Sequence, residues 1–336
     1  MPTITRREFL GLGARSALAL GLAGIGLSGC RPRPLSSLVI QAPASPPSLA
    51  FLRMAQQGVP ANLAHELRFQ LWSTVDEMRG RITAGQAQFS GLPVNVAATL
   101  YNRGVQVQLL NVYIWGILYL VTSDPAVQSL AEIKGQPLLI PFRGDLPDIL
   151  TQYLLQKQGL SLEKDFQVTY VSAAPEAAQL LAAGRAKHAV LSEPSATLAI
   201  AKAKESGVTL RRAMDYAQAW AAATGRAPRL PMAGVVALPA VLRNRALLDW
   251  FQRAERDALA WVAANPQEAS QLGAQAIQAI PPAVMVASLP FIQMDFADAQ
   301  SAREDIAFFL QEMHALSPDL VGGSLPPAEF YYGASS

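Results

Sequence analysis

Apolar and polar positions follow two rhythms along this chain. Leu67-Arg68-Phe69-Gln70-Leu71-Trp72 repeats with period two, the pattern of a half-buried strand. Val75, Met78 and Ile82 then fall at helical spacing, behind Ser73 or Thr74 as a cap and ahead of Gly85 as a stop. The same exchange recurs. Apolar runs at Leu38–Ile40, Ala87–Ser90, Val105–Leu110, Ile117–Val121, Leu138–Phe142, Phe166–Val171, Ala189–Leu191 and Leu230–Pro239 predict strands. Between them, Pro147–Lys157 and the segment from Pro175 to Gly184 predict helices, each with proline in its first turn. Leu247, Trp250, Phe251, Ala254, Ala258, Trp261 and Val262 form one helical stripe that ends at Asn265-Pro266, and core packing explains it. The C-terminal third reads as helical, with an amphipathic segment near Ala302–His314 and a Pro/Gly-rich tail from Ser317. Strands alternating with helices predict an α/β fold.

The first thirty residues break this rhythm. Thr5-Arg6-Arg7-Glu8-Phe9-Leu10 precedes an apolar stretch from Ala17 to Leu27 and then Leu27-Ser28-Gly29-Cys30. A basic start, a short apolar run and a small-residue end make a secretory signal, and the run is too short to span a bilayer. The paired arginines resemble a twin-arginine (Tat) signal, and the end resembles a bacterial lipobox with Cys30 as the lipidated residue. The expected layout is a signal peptide over 1–29 and a lipidated, proline-containing tether over 30–37.

Composition narrows the function. Only 15% of residues are charged against 51% hydrophobic, and disorder and nucleic-acid binding both fit poorly. The formal net charge is +2, and Arg6, Arg7 and Arg15 against Glu8 account for it, so the body is balanced. With one cysteine and histidines only at 65, 188 and 314, there is no disulfide framework, no metal-ligand spacing and no nucleophile–histidine pair. No catalytic residue, metal or cofactor is expected.

Two segments echo one another. A helix end at Ala84-Gly85-Gln86-Ala87 leads through a strand to Gly91-Leu92-Pro93, and one at Ala183-Gly184-Arg185-Ala186 leads to Ser192-Glu193-Pro194. Ser90–Pro93, Ala97–Gly104, Trp115–Val121, Leu130–Gln136, Leu181–Ala186 and Ser192–Pro194, in this order, resemble the substrate-binding proteins of ABC importers of the nitrate/sulfonate/taurine type. That group also includes thiamine-precursor binders. The resemblance implies a type II periplasmic-binding-protein fold: two α/β lobes, two crossovers and a ligand cleft that closes by hinge motion. Lobe 1 would comprise 38–121 plus 235–315, lobe 2 122–234, and the tail 316–336. The crossovers would lie near Val121-Thr122 and Ala233-Gly234.

In open α/β sheets ligands bind beyond the strands' carboxyl ends, where helix N-termini offer free N–H groups. Those places hold Ser45, Trp72, Ser73, Thr74, Pro93, Asn95, Arg143, Gly144, Asp145 and Glu193, while Tyr113 and Trp115 precede the crossover strand and could stack on a flat ligand. Each has a structural alternative. Trp72 could be core, Ser73 or Thr74 a cap, and Asn95 a cap or a ligand contact. Arg143 could grip a ligand's acid group or pair with Asp145 or Asp148. Glu193 would favour a ligand with N–H donors or positive charge, or be an ordinary surface residue. A bare oxyanion held by helix N-termini stays open beside an organic, heteroaromatic ligand such as a pyrimidine.

The expected activity is capture of a small organic molecule or oxyanion outside the cytoplasm, by a lipid-anchored monomer that delivers it to an ABC permease. Two alternatives stand beside it. One is an enzyme of the same fold related to thiamine-pyrimidine synthesis, whose cysteine-rich motif is missing from this sequence. The other is a sensor lipoprotein that presents ligand to a receptor.

Overall fold

A computed structural model describes residues 33–333. The expected signal peptide over 1–29 and the expected lipidation site Cys30 fall outside the described residues. Strands β1 (Leu38–Pro43), β2 (Leu67–Trp72), β3 (Phe89–Pro93) and β4 (Gln108–Gly116) alternate with helices α1 (Leu49–Gln57), α2 (Val75–Thr83) and α3 (Val94–Asn102). Next come β5 (Leu118–Thr122), β6 (Pro137–Pro141), α4 (Leu146–Lys157), α5 (Leu162–Asp165), β7 (Gln167–Val171), α6 (Ala174–Ala182), β8 (His188–Ser192), α7 (Ser195–Glu205), β9 (Arg211–Asp215) and α8 (Tyr216–Thr224). The chain returns through β10 (Ala233–Ala237), α9 (Arg245–Ala264), α10 (Pro266–Ala276), α11 (Pro282–Ser288), β11 (Gln293–Asp298) and α12 (Arg303–Leu316).

These strands form two sheets, one ordered β11-β4-β10-β3-β1-β2 and the other β7-β6-β8-β5-β9. β1, β2 and β3 run parallel and β10 antiparallel to its neighbours β3 and β4; in the second sheet β6, β7 and β8 run parallel and β5 antiparallel to β8 and β9. The first passage between sheets is at Ile117, between β4 and β5, earlier than the sequence pattern placed it. The strand expected over Val105–Leu110 instead runs from Gln108 to Gly116, and Ile117 alone separates it from β5, because both strands are buried on both faces and periodicity does not mark the end of the first.

Period two sorts the core. Leu118 and Leu120 join Leu138, Ile140, Tyr153 and Trp220 in a core continuous with that of the first sheet. Tyr119 and Val121 face the other way, into a separate core with Leu139, Leu191, Ala177 and Ala199 under α6 and α7. Trp220 of α8 packs on Tyr153, Phe308 and Phe309, so α12 lies against the second sheet's helices. Tyr153 donates to Glu312 at 2.7 Å, and Lys157 reaches the same carboxylate at 2.7 Å.

Two strands escape the sequence reading. β9 (Arg-Arg-Ala-Met-Asp) and β11 (Gln-Met-Asp-Phe-Ala-Asp) are half-buried edge strands with mixed polarity; β9 shows no alternation, and in β11 the alternation spans only Gln293–Phe296. The α9 stripe is core as expected. Leu247, Phe251, Ala258 and Val262 are buried, and Trp250 and Trp261 are half-buried, with the Arg53 guanidinium 4.3 Å above the Trp261 ring. The tail holds buried Val321 and Phe330, the latter edge-on to Tyr101.

Gly234 is the tightest point of the first sheet. A Cβ there would overlap the carbonyl oxygen of Asn111 on the adjacent strand. Gly234→Ala is therefore expected to destabilise the protein by about 3 kcal/mol, read as a lower urea midpoint, because backbone atoms in a central strand cannot give way. An unchanged midpoint would show that the β10–β4 register relaxes freely.

Candidate functional site

The carboxyl ends of β1, β2, β3 and β4 lie at one edge of the first sheet, and those of β6, β7, β8 and β9 at one edge of the second. The two edges approach one another. Asp145, at the start of α4, lies within electrostatic range of Arg79 and Asp76 on α2. Although solvent reaches its side chain, desolvation by the surrounding protein pushes the Asp145 carboxyl up, Arg79 opposes this, and Asp148 and Asp76 add to it. Tyr119 of β5 donates its hydroxyl to the Phe291 carbonyl at 2.7 Å, and the Arg212 guanidinium sits 3.5 Å above the Phe291 ring. Phe291 leads into β11, so this contact also joins the two sheets.

The sequence-derived residues fall into two groups. Ser45, Ser73, Thr74, Pro93, Arg143, Gly144 and Asp145 stand at the facing edges, exposed or half-buried. Trp72 ends β2 with its indole N–H buried and unpartnered. Asn95 is 6% exposed, donates Nδ2 to the Leu320 carbonyl at 3.4 Å and leaves Oδ1 without a partner. Tyr113 and Trp115 belong instead to the interior of β4. Tyr113 meets Phe51 edge-on against Gly91, and Trp115 donates to the Asp295 carbonyl at 2.7 Å beneath the Arg229 guanidinium. Neither stands in a loop ahead of the crossover, because β4 extends through Gly116.

Glu193 is not a surface residue. Its side chain is fully buried, accepts from Arg212 Nε at 2.7 Å and pairs with Arg212 Nη2 at 2.5 Å. Its second oxygen accepts from the Thr197 amide at 3.1 Å and the Thr197 hydroxyl at 2.7 Å. Arg143 pairs with neither Asp145 nor Asp148 and lies 5.1 Å from the Tyr170 ring centre. Asp148 is engaged elsewhere, accepting from the Gly144 amide at 2.8 Å, from Gln152 and from the Tyr170 hydroxyl.

Sequence reasoning missed Arg79, Phe142, Arg212, Asp215 and Phe291. Phe142 follows β6 at φ 60°, is 41% exposed and stands beside Arg143. Of these only Asp215 had a readable signal, since it stands immediately before the helix Tyr216–Thr224 and caps it.

Two open sheets joined by two crossings, with their carboxyl edges facing each other, define a periplasmic-binding-protein fold with a ligand cleft. Residues 60–267 match the family described as ABC transporter, phosphonate, periplasmic substrate-binding protein, and the chain belongs to that family. It is therefore the substrate-binding component of an ABC import system, and its family places it outside the cytoplasm. No curated protein matches the chain. Among solved structures, an ABC transporter protein from Parabacteroides distasonis is similar at 24% identity and TM-score 0.73, covering 89% of this chain and 100% of that one. The periplasmic aliphatic sulphonate binding protein SsuA from Escherichia coli is similar at 14% identity and TM-score 0.65, over 89% and 93%. The periplasmic nitrate-binding protein NrtA from Synechocystis PCC 6803 is similar at 14% identity and TM-score 0.61, over 85% and 84%. At these identities the likenesses establish the fold. Among the described residues no helix is long and apolar enough to cross a membrane.

Proposed function

We propose that the protein is a lipid-anchored monomer that captures a small organic molecule or oxyanion between its two lobes and hands it to an ABC permease. The observation that carries the reading is the contact of Tyr119 and Arg212, from the second sheet, with Phe291, which leads into β11 of the first. Lobe 1 (38–121 plus 235–315) and lobe 2 (122–234) would move about the crossings near Ile117 and after α8, with the contact between Arg212 and Phe291 holding the closed arrangement. Ser45, Trp72, Ser73, Thr74, Pro93, Asn95, Arg143, Gly144 and Asp145 would line the ligand, with Glu193 behind them. The chemistry needs only differential affinity of the closed form for ligand. Native mass spectrometry of the purified protein, followed by small-angle scattering with and without the released compound, tests this. A bound, unmodified small molecule and a smaller radius of gyration in its presence are expected. A turned-over product would instead mark an enzyme.

The anchor has its own test. Cys30→Ser is expected to move the protein from the membrane to the soluble extracytoplasmic fraction, since stable anchoring rests on acyl chains. Changing Arg6 and Arg7 together to lysine is expected to block export. Undiminished export would remove the twin-arginine assignment.

A further inference from the structure

The chain ahead of β1 is fixed at a definite point. The Leu35 amide donates to the Leu63 carbonyl at 3.0 Å, and the His65 amide donates to the Leu35 carbonyl at 2.9 Å. Leu63 and Ala64 are buried, so the attachment belongs to the body of the first lobe. Leu35 follows Cys30 by five residues. A fully extended chain of that length spans at most about 18 Å. An acylated Cys30 would therefore keep the segment 58–66 within about 18 Å of the bilayer surface. This end of the lobe is the one away from the cleft, because Leu35 leads into the amino end of β1 and the cleft lies at the carboxyl ends.

The surface beside this attachment has its own chemistry. Gly58 ends α1 and opens the segment that holds Leu35. α1 packs against α9, and a groove between them is lined by Met54, Gly58, Trp250, Arg253 and Ala254. Trp250 and Trp261 of α9 are half-buried along it, the second beneath the Arg53 guanidinium. Arg245, Arg253 and Arg256 are exposed on α9, and Arg243 is exposed just ahead of it.

Little negative charge answers these arginines. Asp257 is the one exposed acid of α9, since Glu255 is buried and Asp249 is half-buried and accepts from the Tyr332 hydroxyl. Arg243, Arg253 and Arg256 form no ion pair among the described residues, and Arg245 comes only to 4.0 Å from Asp249. A body of balanced charge thus carries a local cationic excess, flanked by tryptophan, next to the point where its tether begins. Arginine pairs with lipid phosphate, and the indole ring settles at headgroup level.

We infer that the α1–α9 face of the first lobe lies against the anionic headgroups of the bilayer that holds the anchor. This rests on the lipid-anchored reading above. The short tether holds the face at the surface, so weak contacts suffice, as for any second contact made within a linked pair. The cleft, at the other ends of the strands, stays clear of the lipid and open to ligand.

The test uses the exported full-length lipoprotein in vesicles. Cys30 is the only cysteine, and acylation removes its thiol, so a single introduced cysteine carries a unique fluorophore. Ala260→Cys labels the exposed side of α9, and Lys202→Cys labels exposed α7 in the second lobe. The vesicles are phosphatidylcholine with phosphatidylglycerol and a lipid spin-labelled at its headgroup. Quenching roughly threefold stronger at position 260 than at 202 is expected, falling toward the 202 level in high salt or in pure phosphatidylcholine. Arg253→Glu with Arg256→Glu should remove the difference while the protein still floats with the vesicles and melts at the wild-type temperature, because neither arginine forms an ion pair. Equal quenching at the two positions, or a difference that survives the charge reversal, overturns this inference and leaves the anchor standing. Cross-linking between two unlabelled Ala260→Cys copies in the vesicles would mark a contact between copies and overturn it too. Wild-type protein that fails to float with the vesicles overturns both the anchor and the inference.

Discussion

Stability of the wild-type protein should fall as pH rises from about 4.5 to about 8, by on the order of 4 kcal/mol, and Glu255→Gln should flatten the profile. Glu255 lies on α9 with no exposure, beneath β4. Asn111 donates to one carboxyl oxygen at 2.6 Å, and the other oxygen has no partner. Burial pushes this carboxyl up to about 8, and the Asn111 hydrogen bond only partly opposes it. The neighbouring Tyr113 hydroxyl is pushed up as well, by burial first and by Glu255 second, and so stays neutral. The unfolded chain releases this proton near the ordinary value of 4.5, whereas the folded chain keeps it to about 8. Folding therefore binds a proton across that window. The contribution is complete below the lower value and lost as pH rises through the upper one. Urea midpoints measured across the window check this, and matching slopes for wild type and Glu255→Gln would sink it.

Arg212→Ala should cost about 3–5 kcal/mol, because it strands the fully buried Glu193 charge. Arg212 also donates to the Thr197 hydroxyl at 2.6 Å and lies over Phe291, while Tyr119 holds the Phe291 carbonyl. The variant thus loses both a charge partner and a contact between the two sheets. Adding Glu193→Gln should recover most of the stability, since the stranded charge is gone. It should not restore the closed radius of gyration, since the Phe291 contact stays lost. A single variant within ~1 kcal/mol of wild type would show that water reaches Glu193 and that the pair contributes little.

Much of the architecture was legible in the chain. Leu67–Trp72 alternates and is β2, and the proline-led segment ahead of Lys157 is α4, because local steric and hydrogen-bonding preferences act within a few residues. Thr74 could be read as a cap, and it is one, with Glu77 answering three residues on. Less of the site was legible. Tyr113 and Trp115 were expected to precede the crossover strand and stack on a flat ligand, but the strand read as ending at Leu110 runs on through Gly116 and buries both. β9 was silent because an edge strand needs no alternation, and the short alternation of Gln293–Phe296 in β11 went unread.

By itself the sequence determined the alternation of strands and helices and many of the helix starts and stops, all of which depend on neighbours within a turn or two. Only the tertiary structure decided the fate of individual polar groups. Arg212 lies in β9 and Glu193 follows β8, on either side of α7, and Asn111 and Glu255 meet across the distance from β4 to α9. Whether a carboxylate is an exposed ligand contact, a helix cap or a buried proton carrier depends on the donors that folding brings to it. Those donors come from remote parts of the chain, where no local pattern records them.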